Sequence, residues 1–352
     1  MKEEESRSIL VTGGAGFIGS NLVRHLLSRG HRVLNVDLLT YAGNLSSLSD
    51  VVENPNYCLL RADIADSEAM VQAFRESKPD WVFHLAAESH VDRSISAPMN
   101  FVRTNVLGTA SLLQAALDFW VSGGKPENFK FVHVSTDEVF GELGKEGAFD
   151  ENSSYAPRSP YSASKAGGDH MVRAWGNTYG LPVIVTSCAN NYGPYQFPEK
   201  LIPLTILNAM RGNKISVYGD GCQIRDWLHV TDTCKALELV GEKGIVRETY
   251  LIGAKCEWRN IDLVREICRI VDDLGREFPE LDIRGNTASQ IEFVADRLGH
   301  DFRYSIDPSK IENELGWTAG GEMSLYLEQT VRWYFENRDW WEPILDGSFK
   351  EI

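Results

Sequence analysis

The chain has 352 residues, 43% of them hydrophobic and 24% charged, with a formal net charge of −15. That length can bury a substantial core and suits two intimately packed parts better than two independent domains. The acidic balance argues against nucleic acid, which needs a basic footprint, and no apolar run approaches the roughly 18–20 residues of a membrane span. The charged stretch before Ile9 lacks the apolar core of a secretory signal, so a cytoplasmic protein is expected. Cys58, Cys188, Cys222, Cys234, Cys256 and Cys268 lie far apart with no CxxC, and the eight histidines show no ligand spacing. Neither a disulfide framework nor a metal site is expected. An anionic ligand would need a local cluster of Arg and Lys to offset the global charge.

Along the first half, short β-rich runs alternate with helical stretches, the pattern of a parallel sheet with crossover helices. Strands are expected at 8–12, 32–37, 57–62, 81–86, 130–135 and 182–188. The first helix starts near Gly16. It repeats apolar residues at Ile18, Leu22 and Leu26, with Phe17, Val23 and Leu27 beside them, and stops at Gly30. After residue 189 the pattern breaks into loops, helices and short strands, read as a smaller substrate-binding part (190–352) interleaved with a dinucleotide-binding part (1–189). The aromatic tail from Trp317 to Trp341 reads as a terminal helix docked by Trp333 and Tyr334.

Gly13, Gly16 and Gly19 form GxxGxxG between the first strand and the first helix. There the backbone must turn tightly and let a pyrophosphate reach the helix N-terminus. Asp37 closes the second strand, 18 residues beyond Gly19, where a carboxylate accepts from ribose hydroxyls and repels a 2′-phosphate. NAD rather than NADP is therefore the expected cofactor. Asp63 and Ile64, at the end of the third strand, are expected beside the adenine.

Tyr161 and Lys165 stand at i and i+4, on one face of a helix. A free tyrosine has a pKa near 10, so a neighbouring ammonium and a cationic nicotinamide are expected to favour the phenolate. Following a dinucleotide fingerprint and a strand that ends in Ser135 and Thr136, this YxxxK resembles the short-chain dehydrogenase/reductase superfamily. Asp137 and Glu138 follow Thr136 directly. By themselves they could be solvated loop carboxylates. An adjacent pair in extended chain points to opposite faces, so both can serve one site only if the strand has ended by Thr136.

The strings HVSTDEVFGE, HLAAESHVDRS, NNYGPYQFPEKLIPL, VYGDG, IRDWLHVTD and DRLGHDFRY together resemble the dTDP-glucose 4,6-dehydratase family, from about Ile9 to Trp317. Leu298 and Ala254 depart from the family's usual Pro and Gly. The resemblance implies a Rossmann-type doubly wound α/β fold, with Phe17, Ile18 and Ala86 joining the cofactor site. It implies a nucleotide-sugar substrate contacted by Ser89, Thr136, Asn190, Lys200, Leu201, Asn260 and His300, with Arg225 and Arg297 on the diphosphate. It also implies Tyr161 as the base in oxidation at carbon 4, Glu138 and Asp137 as base and acid in water loss, and a homodimer pairing helices near 102–117 and 161–179. A UDP-sugar epimerase or UDP-glucuronate decarboxylase on this scaffold would leave Asp137 unexplained. A non-catalytic NAD-binding sensor would have no need of Tyr161 and Lys165.

Overall fold

The computed structural model describes residues 6–283, 285–296 and 299–348. Its strands, in chain order, are β1 (Ser8–Thr12), β2 (Arg32–Asp37), β3 (Tyr57–Arg61), β4 (Trp81–His84), β5 (Lys130–Thr136) and β6 (Val183–Cys188), then β7 (Asn190–Tyr192), β8 (Ile215–Tyr218), β9 (Ile224–His229), β10 (Thr249–Ile252), β11 (Glu257–Arg259) and β12 (Ile291–Val294). Seven of them form one parallel sheet in the order β10-β6-β5-β4-β1-β2-β3. The order reverses beside β1, so the crevice beyond the strands' carboxyl ends opens there, where such folds bind ligands.

The central strands are apolar on both faces because helices cover both sides. Every residue of β1, β4 and β6 is buried. The helix Phe17–Ser28 buries Leu22, Val23, Leu26 and Leu27 against one face. Met70, Phe74, Leu112 and Leu113, from helices Ser67–Ser77 and Thr109–Ser122, cover the other. Each such side chain contributes about 1.5–3 kcal/mol relative to exposure, so the crevice rests on a rigid floor.

The expected strands appear, with β3, β4 and β6 shorter than anticipated and β5 one residue longer. β4 stops at His84 because the next amides turn toward the first strand's end: Leu85 donates to the Thr12 carbonyl and Ala86 to Thr12 Oγ1. Likewise Ala62 donates to the Asp37 carbonyl as it leaves β3. The four-residue β10 went unread, because it lies within the segment taken for the smaller part. With the helix Val230–Lys243 it returns the chain to the main sheet after residue 190. The remaining strands form a three-stranded sheet, β11-β9-β7, and a parallel pair, β12-β8, around a separate core that includes Ile206, Val264 and Tyr334. The aromatic tail docks as a helix, Met323–Glu336. Its fully buried Tyr334 donates to the Gln196 carbonyl at 2.5 Å, and Trp340 Nε1 donates to Ser47 Oγ at 3.0 Å.

Candidate active site

A cleft runs along the carboxyl edge of the sheet, from Asp37 and Asp63 past the glycine turn to Tyr161 and Lys200. Its first half is a glycine-lined cradle. Gly13 has φ +75°, and a Cβ there would sit 2.7 Å from the Ala86 nitrogen; one on Gly19 would sit 2.1 Å from the Gly13 carbonyl. These two positions let the turn pack against β4 and against itself. Gly16 borders the cleft and begins the helix Phe17–Ser28 with extended backbone, no side-chain cap and no acidic residue in the first turn. Such a helix end suits an anion.

Asp37 is buried. Its Oδ2 accepts from Ala15 N at 2.9 Å and its Oδ1 from Leu39 N at 2.8 Å. Burial pushes its carboxyl above the usual range, opposed by those two amides. Asp63 accepts from Ala65 N at 2.8 Å, and Ile64 is buried beneath it. Phe17, Ile18, Asp63, Ile64 and Ala86 all line this half of the cleft, which has the shape and donors of a dinucleotide site.

β5 ends at Thr136, and a short 3₁₀ turn, Asp137–Phe140, follows at once. The chain therefore leaves extended geometry at the position that lets both carboxylates border one cleft. Thr136 Oγ1 accepts from Glu138 N and donates to Asp137 Oδ1, both at 3.3 Å. Asp137 is 2% exposed, and its Oδ2 is buried without a partner. Burial, then the charges of Glu138 and Asp226, push its pKa up to about 8, against the smaller pull of Arg225 and Thr136. A carboxyl so placed carries a proton at neutral pH and can donate it. Glu138 is half-buried beside it.

Tyr161 and Lys165 sit on the helix Pro160–Tyr179, which begins at a capping box on Ser159 and Ser162. Both border the cleft and both are buried. Lys165 Nζ donates to the Val134 carbonyl at 2.8 Å. The Tyr161 phenol is held well above its usual pKa by burial and by Glu138, with a hydrogen bond to Thr136 pulling the other way. The chain alone therefore keeps this phenol protonated, and activation requires positive charge from a ligand.

On the opposite wall the cleft meets Ser89, Asn190 and Lys200, whose Nζ donates to the Ser89 carbonyl at 3.4 Å. Asn190 Oδ1 is buried without a partner. Leu201 opens the next helix, Leu201–Arg211, beside Lys200. Arg225 is not among the residues lining this cleft. It is 5% exposed, its guanidinium donates to the carbonyls of Ile224, Asp301 and Phe302, and it lies 4.3 Å from the Tyr304 ring. Its Nη1 and Nη2 thus donate to loop carbonyls in this structure. Asn260 opens the helix Asn260–Leu274, and His300 Nδ1 pairs with Asp296 Oδ1 at 2.6 Å; neither is among the residues lining this cleft. Arg297 and Leu298 lie outside the described residues.

Two residues near the chemistry escaped the sequence reading. Gln196 lines the cleft with Oε1 buried and unpartnered, its Nε2 donating to the Asn191 carbonyl at 2.8 Å. Asp226, fully buried behind Asp137, accepts from Cys256 N at 2.7 Å. Asp226 had a signal, an acid beside Arg225 in the RDW string; Gln196 had none.

The sequence profile of the GDP-mannose 4,6 dehydratase family matches residues 10–330. The dTDP-glucose 4,6-dehydratase of Neisseria meningitidis serogroup B is 52% identical, with 98% of each chain covered, and that of Escherichia coli is 51% identical, with 97% of each covered. The crystal structure of the Streptomyces venezuelae dTDP-glucose 4,6-dehydratase with NAD bound matches with a TM-score of 0.87 at 44% identity, covering 96% of this chain and 99% of that one. A Thermotoga maritima UDP-glucose 4-epimerase matches with a TM-score of 0.82 at 29% identity, covering 94% and 99%; it shares the scaffold at a much lower identity. The chain belongs to the dTDP-glucose 4,6-dehydratase family of extended short-chain dehydrogenase/reductases.

Proposed function

We propose that the protein is an NAD-dependent hydro-lyase that converts dTDP-glucose to its 4-keto-6-deoxy derivative. The observation that carries this reading is Asp137, a buried carboxyl with an unpartnered oxygen, protonated at neutral pH and bordering the same cleft as Glu138, Thr136 and Tyr161. An epimerase moves one hydride out and back and has no use for such an acid. The glycine cradle, the uncapped helix start and Asp37 fit NAD. Bound NAD supplies the hydride acceptor for carbon 4 and the donor for carbon 6, and places positive charge beside Tyr161.

Tyr161 takes the proton of the carbon 4 hydroxyl, while Thr136 holds that oxygen. The ketone so formed acidifies the proton on carbon 5, which Glu138 removes. Asp137 protonates the carbon 6 hydroxyl as it departs as water. Ser89, Asn190, Lys200 and Leu201 hold the nucleotide sugar from the cap side. Arg225, Asn260, Arg297 and His300 are assigned with them through the resemblance, and Arg225 must exchange its loop carbonyls for phosphate.

The active unit is a homodimer. Ile95, Met99, Val102 and Leu107 form an exposed apolar surface near the helix Pro160–Tyr179, with Met99 71% exposed. Among the described residues no helix is long and apolar enough to cross a membrane and no metal-binding cluster occurs. All six cysteines are free, as suits a cytoplasmic enzyme. The test is mass spectrometry of dTDP-glucose and UDP-glucose after separate incubation with the protein. Loss of one water from dTDP-glucose is expected; an unchanged mass would contradict the reading.

A further inference from the structure

Asp169 follows Lys165 by four residues and Tyr161 by eight, so the three project from one face of the helix Pro160–Tyr179. Its side chain is fully buried and does not border the cleft. It accepts from His133 Nε2 at 3.0 Å, Ser135 Oγ at 2.8 Å and the Tyr155 hydroxyl at 2.8 Å. His133 and Ser135 lie on β5, just before Thr136. Tyr155 lies on the loop leading to the helix and accepts from Arg173 at 3.1 Å. None of the proton transfers assigned above uses this carboxylate.

A buried ionised carboxylate is costly without a counter-charge and hydrogen bonds. Burial would raise the Asp169 pKa, but His133, Lys165 and Ser135 together hold it below the usual range. His133 cannot be the counter-ion. Burial and then Lys165 hold its imidazole below the usual value, so it is neutral and donates Nε2–H. The other groups around the pair are His84 of β4, held neutral by burial, and Cys188 of β6, whose thiol burial pushes up to about 12. Arg173, one helical turn beyond Asp169, donates through Nη2 to the Tyr155 hydroxyl and to Thr249 Oγ1. Lys165 is the cation one helical turn before Asp169, on the side of Tyr161. Burial lowers its pKa and Asp169 is the largest influence opposing that fall.

We infer that Asp169 is a positioning residue for Lys165: a buried counter-ion that keeps the ammonium charged and ties the helix carrying Tyr161 and Lys165 to the strand end carrying Thr136. The inference rests on the role assigned to Lys165 above.

The test uses the full-length protein with its bound cofactor. Formation of reduced cofactor is followed in single turnover across pH for wild type, Asp169→Asn and Tyr155→Phe. Asp169→Asn should move the alkaline limb to lower pH, with a loss above the limb of about tenfold for each pH unit moved. Tyr155→Phe, which removes a clamp but keeps the charge, should lower Tm and leave the limb in place. An equal fractional loss at every pH in Asp169→Asn would overturn the inference. A second arm needs no turnover: thermal unfolding of Lys165→Met, Asp169→Asn and the double variant. The double should lose less than the sum of the singles, since it removes both buried charges together. Additive losses would likewise overturn the charge pair. A wild type that never reduces its cofactor would sink the reading of Tyr161 and Lys165, and the thermal arm would still decide this one.

Discussion

The Thr136 hydroxyl donates to one oxygen of Asp137 and leaves the other buried without a partner. That arrangement gives a carboxyl that burial keeps protonated to about pH 8, aimed at a cleft where a hydroxyl must leave as water. The elimination step should therefore slow above about pH 8, and Asp137→Asn should remove that limb along with most of the rate. Single-turnover product formation across pH measures both.

The same shift has a consequence for stability. A carboxyl whose folded pKa lies above its unfolded value near 3.9 binds its proton more tightly when folded. Its contribution is complete below pH 3.9 and is lost as pH rises through about 8. Asp137→Asn cannot ionise, so its Tm relative to wild type should rise between pH 5 and pH 9. A constant difference across that range would show that Asp137 is ionised throughout.

Tyr161 and Glu138 should separate in time. Tyr161→Phe should abolish both reduced-cofactor formation and product, because its step comes first. Glu138→Gln keeps the shape and should permit oxidation while slowing elimination by about 10²–10⁴, so reduced cofactor accumulates. Absorbance of the bound cofactor beside product formation distinguishes the two.

Much of this site was legible because the informative residues are adjacent in sequence or spaced by one helical turn. Thr136, Asp137 and Glu138 are consecutive, and the one uncertainty, whether both carboxylates could face one cleft, depended on where β5 ends. Tyr161 and Lys165 needed only a helix. Arg225 shows the limit: its string suggested phosphate, and nothing in the string reveals that its guanidinium also donates to the carbonyls of Asp301 and Phe302, more than 70 positions away. The surroundings of Tyr161 were not legible for the same reason. Burial and Glu138 hold its phenol up, and burial is not written in a spacing. The strand β10 was lost because four residues, TYLI, give too short a period to identify.

Asp37 should select the cofactor. Nucleotide extracted from the purified protein should be NAD, because a 2′-phosphate would meet a buried carboxylate already held by Ala15 and Leu39. Recovery of mainly NADP would overturn the assignment.

The apolar surface at Met99 and Leu107 should be covered in solution. Light scattering should give twice the 39.5 kDa chain mass, and Leu107→Asp should shift it toward the monomer. A wild-type monomer would contradict the dimer.

The central claim is that one hydride leaves carbon 4 and returns to carbon 6 of the same sugar while Glu138 and Asp137 remove water between them. Substrate deuterated at carbon 4 reports on it most directly. The expected product carries that deuterium at carbon 6 and, in heavy water, a solvent deuteron at carbon 5. Deuterium returned to carbon 4, or lost to solvent, would contradict the account.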